Sequence, residues 1–266
     1  MKFKKILALG LVTVLTAAFV SGCGSNSTKE NSSGDKAKIV VGLDDNFPPM
    51  GFKDENNEIA GFDVDLAKEA TKRLGREVEF KAIDWSSKEA ELKSGRVDVL
   101  WNGLDITDKR KEVMLFSDPY MDNRQIIFVK KGKTGITDEQ SLAGKAVGTQ
   151  SASTAEEYID NSEFFKTKVK DVKKYSDFVS AFMDLENGRI DAVVGDEIVG
   201  RYYMSKHPDE IEAVDTVVGP VSQFGIAFAK DNTRLRDEVQ KVINEMKADG
   251  TIAKISEKWF GKDITK

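Results

Sequence analysis

A chain of 266 residues is long enough for one or two domains with a buried core, and its 40 Lys+Arg against 45 Asp+Glu leave a formal charge of −5 at pH 7. That balance gives no basic field for nucleic acid, and no local patch with interleaved aromatics supplies one. One cysteine and one histidine exclude an internal disulfide framework, Cys-rich metal centres and, at nearly every position, His-assisted catalysis. No Walker loop, nucleophile elbow or metal-ligand spacing occurs, so no cofactor or metal is expected.

The chain opens on basic Met1-Lys2-Phe3-Lys4-Lys5, followed by an uncharged, mainly apolar run from Ile6 to Val20. This is the pattern of an export signal, shorter than the ~20 residues a helix needs to span a bilayer. Val20-Ser21-Gly22-Cys23 places small residues before the sole cysteine and resembles a bacterial lipobox. The expectation is removal of residues 1–22 and lipidation of Cys23, which gives an unpaired cysteine in an exported chain its purpose. Losing Lys2, Lys4 and Lys5 takes the formal charge from −5 to −8. Residues 23–37 then form the lipidated terminus and a Ser-, Asn- and Gly-rich leash with no large apolar residue.

From Lys38 onward, β-branched runs alternate with segments of helical period, the mark of an α/β fold. Ile39–Leu43 and Glu77–Ala82 read as strands. Phe62, Leu66, Ala67, Ala70 and Leu74 share one helical face that stops at Gly75. Phe178, Ala181, Phe182 and Leu185 mark a helix ending at Gly188, and Leu235, Val239, Val242, Ile243 and Met246 one ending at Gly250. Leu92-Lys93-Ser94-Gly95-Arg96-Val97-Asp98-Val99-Leu100 recurs as Leu185-Glu186-Asn187-Gly188-Arg189-Ile190-Asp191-Ala192-Val193. Val40-Val41-Gly42 and Ala146-Val147-Gly148 pair up further upstream, so two similar α/β lobes are expected.

Ligands of open α/β sheets sit beyond the carboxyl ends of strands. That rule selects four loops, 44–50, 102–110, 150–155 and 195–197, two from each lobe, and a cleft between the lobes. Arg110 can grip a carboxylate through two parallel hydrogen bonds, although a lone Arg is more often a surface charge. Ser153 and Thr154 read as helix N-caps whose neighbouring amides could also receive an anion. Asp196 emerges from a buried strand, suited either to a ligand ammonium or to capping the helix 197–207. Phe47 and Trp85 are candidate aromatic walls, or simply core. His207, before Pro208, and Lys166, Lys168, Lys170, Lys173 and Lys174 read as solvent-facing.

Six segments then fall in order: DDNFPPM (44–50), GFDVDL (61–66), GLDITDKR (103–110), FSDPY (116–120), GIAF (225–228) and KWFG (258–261). Together they resemble the polar amino-acid substrate-binding proteins of ABC importers, the group with glutamine, histidine and lysine/arginine/ornithine binders, from about Lys38 to the end. The resemblance implies a two-lobed periplasmic-binding-protein (Venus-flytrap) fold. The chain would cross near 120–124 and 218–223, with residues 38–123 plus 222–266 as the first lobe and 124–221 as the second. Arg110 and the amides at Ser153 and Thr154 would take a ligand α-carboxylate, and Asp196 and the Gly103 backbone its α-ammonium. Phe47 and Trp85 would flank the ligand side chain, with Asp44 at its far end and Gln150 in reach. An ABC permease, its ATPase and, through the lipid anchor, the outer face of the membrane would be the partners of a monomeric, non-enzymatic protein.

One residue departs from the group. Where many relatives have Thr or Ser two positions after the glycine, this chain has Asp105. If Asp44, Asp105 and Asp196 all ionise, Arg110 leaves the pocket at −2, which favours a basic or large polar neutral amino acid over an acidic one. With Asp105 protonated or turned away, glutamine, cysteine or cystine fit equally. The resemblance also reaches a dehydratase on this fold, for which Asp105 is the candidate acid/base; a third alternative is a receptor input, the closed protein signalling to a sensor.

Overall fold

The computed structural model describes residues 38–266; the export signal, Cys23 and the linker lie outside the described residues. Two five-stranded mixed sheets organise the molecule. The first runs, in spatial order, Glu77–Ala82, Lys38–Leu43, Val99–Leu100, Ala227–Ala229 and Met114–Phe116. The second runs Asp171–Tyr175, Ala146–Gln150, Ala192–Asp196, Gln125–Lys130 and Ile211–Val217. In each, three parallel strands are followed by one antiparallel to its neighbours on both sides.

The sequence repeat is a structural repeat down to individual hydrogen bonds. Val41 pairs with Val99 as Val147 pairs with Ala192. Asp98 donates its N–H to the Val40 carbonyl (2.8 Å) and accepts the Val40 N–H on Oδ2 (3.0 Å). Asp191 does the same to Ala146, at 2.8 and 2.9 Å. The shared Gly-Arg-x-Asp run thus encodes a helix stop at Gly95 or Gly188, both in the left-handed region, and then a carboxylate that locks the next strand in register.

Parallel strands need cover on both faces. Helix Phe62–Arg73 buries Phe62, Leu66, Ala67 and Ala70, the stripe read from the sequence, and helix Thr233–Ala248 buries Leu235, Val239, Val242, Ile243 and Met246 beside it. Helix Phe178–Glu186 covers the second sheet with Phe178, Ala181, Phe182 and Leu185. Gly250, at φ 78°, closes the helix Thr233–Ala248 as expected, and it also opens a further helix, Thr251–Phe260. Two short strands, Met121–Asn123 and Ser222–Phe224, pair antiparallel as a ribbon carrying the chain from one sheet to the other and back.

Two surface expectations divide. The lysines at 166, 168, 170, 173 and 174 are exposed. His207 is not simply in solvent: its ring lies flat on Tyr203 (centroids 4.2 Å apart, 4° between planes) with Nδ1 3.1 Å from Glu186. Among the described residues, no helix is long and apolar enough to cross a membrane.

Candidate functional site

The four loops beyond the strand ends converge, joined by the turn at Trp85. Phe47, Trp85, Gly103, Asp105, Arg110, Gln150, Ser153, Thr154 and Asp196 line one cleft that is nearly closed, its cavity only about 10 Å³. These are nine of the ten ligand-site positions expected from the sequence. Asp44 is not on the wall. It stands behind Gln150, whose Nε2 donates to its Oδ2 (2.7 Å) and to the Ser176 carbonyl (3.0 Å). The larger groove of the molecule lies elsewhere, beside the crossing ribbon, between Tyr202 and Trp259.

Arg110 sits in the short helix Asp108–Val113, whose N-cap Thr107 accepts the Arg110 N–H (3.2 Å). Its side chain is almost wholly buried, against the commonplace surface role of an arginine. NH1 donates to the Asp105 carbonyl (2.9 Å) and to Thr154 Oγ1 (3.1 Å), and NH2 to the Ala152 carbonyl (3.3 Å), so the guanidinium joins the first lobe to a loop of the second. Ser153 caps helix Thr154–Asn161 by accepting from the Glu156 N–H (3.0 Å) and donates to the Gln150 carbonyl (2.7 Å).

Asp196 ends strand Ala192–Asp196 and precedes helix Glu197–Lys206, yet its side chain does not cap that helix. Its carboxylate instead accepts from Gln125 Nε2 (2.8 Å) and Asn123 Nδ2. Asp105, in the first lobe, accepts on Oδ1 from the same Asn123 Nδ2 (3.0 Å) and from Ser222 Oγ (2.6 Å).

Gly103 shows why one loop takes the path it does. At φ 56° its backbone is left-handed, and a Cβ there would lie 2.8 Å from a Phe47 ring carbon. Its N–H is fixed by Asp63 Oδ2 (2.6 Å), which also accepts from Tyr120 Oη (2.8 Å). Asp63 belongs to the GFDVDL segment, where sequence reasoning gave it no role. Its position after a glycine at a helix start offered the only signal.

Lys88 was also missed by sequence reasoning, as were Asn123, Gln125 and Ser222, which hold the two aspartates. Only 3% exposed, Lys88 donates to the Ala152 carbonyl across the cleft (2.8 Å) and to Trp85 O (3.3 Å), with Nζ 5.1 Å from the Trp85 ring centre. Ala152 has a left-handed backbone (φ 56°), and its carbonyl meets both Lys88 and Arg110.

Burial sets the electrostatics. It raises the carboxyls of Asp44 to about 6 and Asp63 to about 7, and it raises Asp105 as well. Asp196 rises to about 7 through burial and then through the Asp105 charge beside it. Lys88 falls to about 7 through burial and then the Arg110 charge. The count of three ionised carboxylates against one guanidinium therefore overstates the negative charge, and it omits Lys88.

Two similar α/β lobes joined by a two-stranded ribbon, with polar groups of both meeting in one cleft, define the class of two-lobed binding proteins that enclose a small ligand. Residues 39–262 match the bacterial extracellular solute-binding proteins, family 3, and the chain belongs to that family. It is 34% identical to the L-cystine-binding protein TcyJ of Escherichia coli, over all of both chains. It is also 34% identical to ABC transporter arginine-binding protein 1 of the same species, over 84% of this chain and 90% of the relative. An ancestral arginine-binding protein bound to arginine superposes with a TM-score of 0.80 at 42% identity, covering 85% of this chain and 99% of the other. A Streptococcus pneumoniae ABC uptake binding protein with bound histidine gives 0.82 at 35% identity, covering 86% and 94%.

Proposed function

We propose that this chain is the extracytoplasmic binding component of an ABC importer, anchored through lipidated Cys23, that captures a polar L-amino acid and delivers it to a membrane permease driven by an ATPase. The observation that carries this is the facing of Arg110 and Asp196 from opposite lobes across one cleft, a cation and a carboxyl suited to the two poles of a zwitterion. Arg110 with the Ser153 and Thr154 amides would hold the α-carboxylate. Asp196 and the Gly103 carbonyl, left over once Asp63 takes the N–H, would hold the α-ammonium. Phe47 and Trp85 would flank the side chain, with Gln150 and, behind it, Asp44 toward its far end.

Residues 38–123 with 222–266 would form one lobe and 124–221 the other, moving as a monomer about the ribbon, with the ligand favouring the closed form by its extra contacts there. Relatives named for arginine, histidine and cystine support a basic or large polar neutral ligand. Binding without turnover is the reading, because Asp105, the candidate acid/base, has its carboxylate tied to Asn123 and Ser222.

Calorimetric titration of the purified protein, unfolded and refolded once to strip carried-over ligand, against the proteinogenic amino acids plus ornithine and cystine tests this. Tight binding of one basic or polar member is expected. Arg110→Ala should weaken it by about 2–4 kcal/mol, roughly 30- to 1,000-fold in Kd, because a buried carboxylate loses its charged partner. No binding across the panel would refute the assignment.

A further inference from the structure

We propose that Asp105 and Asp196 act as one carboxyl pair on the hinge, that the pair carries a shared proton when no ligand is bound, and that the ammonium of a bound amino acid takes that proton's place. The idea deepens the binding reading above and rests on it. The two side chains come from different lobes but meet at the crossing ribbon. Asn123 and Ser222 are register partners in that ribbon, and both donate to the same Asp105 oxygen. Asp105 also bridges to Phe224, while Asp196 pairs with Gln125, two residues beyond Asn123. Atoms at a hinge move least when lobes rotate, so the pair stays together as the cleft opens.

Two amides serve both carboxyls. Asn123 Nδ2 reaches Asp105 Oδ1 and Asp196 Oδ1, and Gln125 Nε2 reaches Asp196 Oδ1 at 2.8 Å and Asp105 Oδ2 at 3.5 Å. Both aspartates are buried, and two carboxylates sharing a dry site do not both ionise without a compensating charge. Arg110 faces them, bonded to the carbonyls of Asp105 and Ala152 and to Thr154 Oγ1, and its charge favours both ionised forms, but one guanidinium offsets only one of two carboxylates. Tyr120, the other titratable group beside Asp105, stays neutral, its phenol raised well above its usual value by burial and by Asp63. Glu197, next along from Asp196, turns away to Arg124 and Arg201. A proton therefore supplies the missing charge, and burial pushes both carboxyls up in agreement. An α-ammonium entering beside Asp196 supplies the same charge and sends the proton to solvent.

The test is calorimetric titration of the bound amino acid in buffers of different ionisation enthalpy, which counts protons released per ligand. About one proton is expected near about pH 6, declining above about pH 7. Asp105→Asn should bring the count close to zero. A count of zero in the wild type, or one unchanged by Asp105→Asn, overturns the proposal. Infrared spectra of aspartate-labelled, ligand-free protein read the pair without any ligand. The protonated-carboxyl band near about pH 6 should lose intensity in Asp105→Asn, and in Asp196→Asn should the first variant not fold. If no amino acid binds, the binding reading fails while this band still decides the pair; equal intensity in wild type and variants overturns it.

Discussion

Lys88 reads in KEAELK as an ordinary surface lysine, and nothing in its own segment predicts otherwise. Its burial comes from the second lobe, whose Ala152 carbonyl closes over it from 64 residues away. Because its amine is depressed to about 7 in the fold and sits near about 10.4 when unfolded, the folded chain binds fewer protons between those values. Stability should therefore rise with pH from about 7 to about 10, by up to about 1.4 kcal/mol per unit from this one group. Lys88→Met should flatten that alkaline rise in denaturant melts; an unchanged slope would mean that the amine is not buried in solution. Gly103→Ala is expected to cost about 1–3 kcal/mol and to weaken ligand binding together with stability, since it strains φ 56° and drives a methyl into Phe47. Arg110, Asp196, Trp85 and their neighbours were legible because polar or aromatic residues at strand ends follow a rule of topology. Asp63 and Lys88 were not, because each gains its role from a partner far away in sequence.

Among the elements, the helix-to-glycine-to-strand repeat was the most legible feature, since a left-handed stop and a buried strand both leave local marks. Asp98 and Asp191, each holding the middle one of its sheet's three parallel strands, Lys38–Leu43 and Ala146–Gln150, should have matching importance. Asp191→Ala and Asp98→Ala are each expected to destabilise by about 1–3 kcal/mol in equilibrium unfolding, the cost of an orphaned strand N–H. A loss in only one of them would show that the repeat is one of shape and not of energetics. Ser153→Ala should cost about 1 kcal/mol as a lost helix cap. Helix Thr251–Phe260 and the strands Asn46–Phe47, Gly51–Lys53 and Ile59–Ala60 escaped the sequence reading. The strands are too short to show a period, and Gly250, the stop expected for one helix, is also the cap of the next, which a stop signal does not announce.

Across the whole molecule, buried carboxyls and exposed ones pull stability in opposite directions. Asp44, Asp63 and Asp196 are raised to about 6–7 by burial, so their contribution is complete below about pH 4 and is lost as pH rises through 6–7. Asp84, Asp122 and Asp249 are lowered by hydrogen bonds, and their contribution is lost as pH falls below about 4. These sites are largely solvated, so they weigh less. Thermal melts between pH 3 and 7 should peak at about pH 4–6, with falling stability from there to neutrality. A continuous rise through pH 7 would show that the three carboxyls are ionised and hydrated in the folded chain.

The ribbon that crosses twice also dictates an order of manufacture. The second sheet uses only residues 125–217, whereas the first inserts Ala227–Ala229 between Val99–Leu100 and Met114–Phe116. A chain synthesised from its amino end can close the inner lobe while the outer lobe still lacks an interior strand, leaving two open edges facing each other. A chain that stops short of residue 227 therefore has every strand of the second sheet and a first sheet split in two.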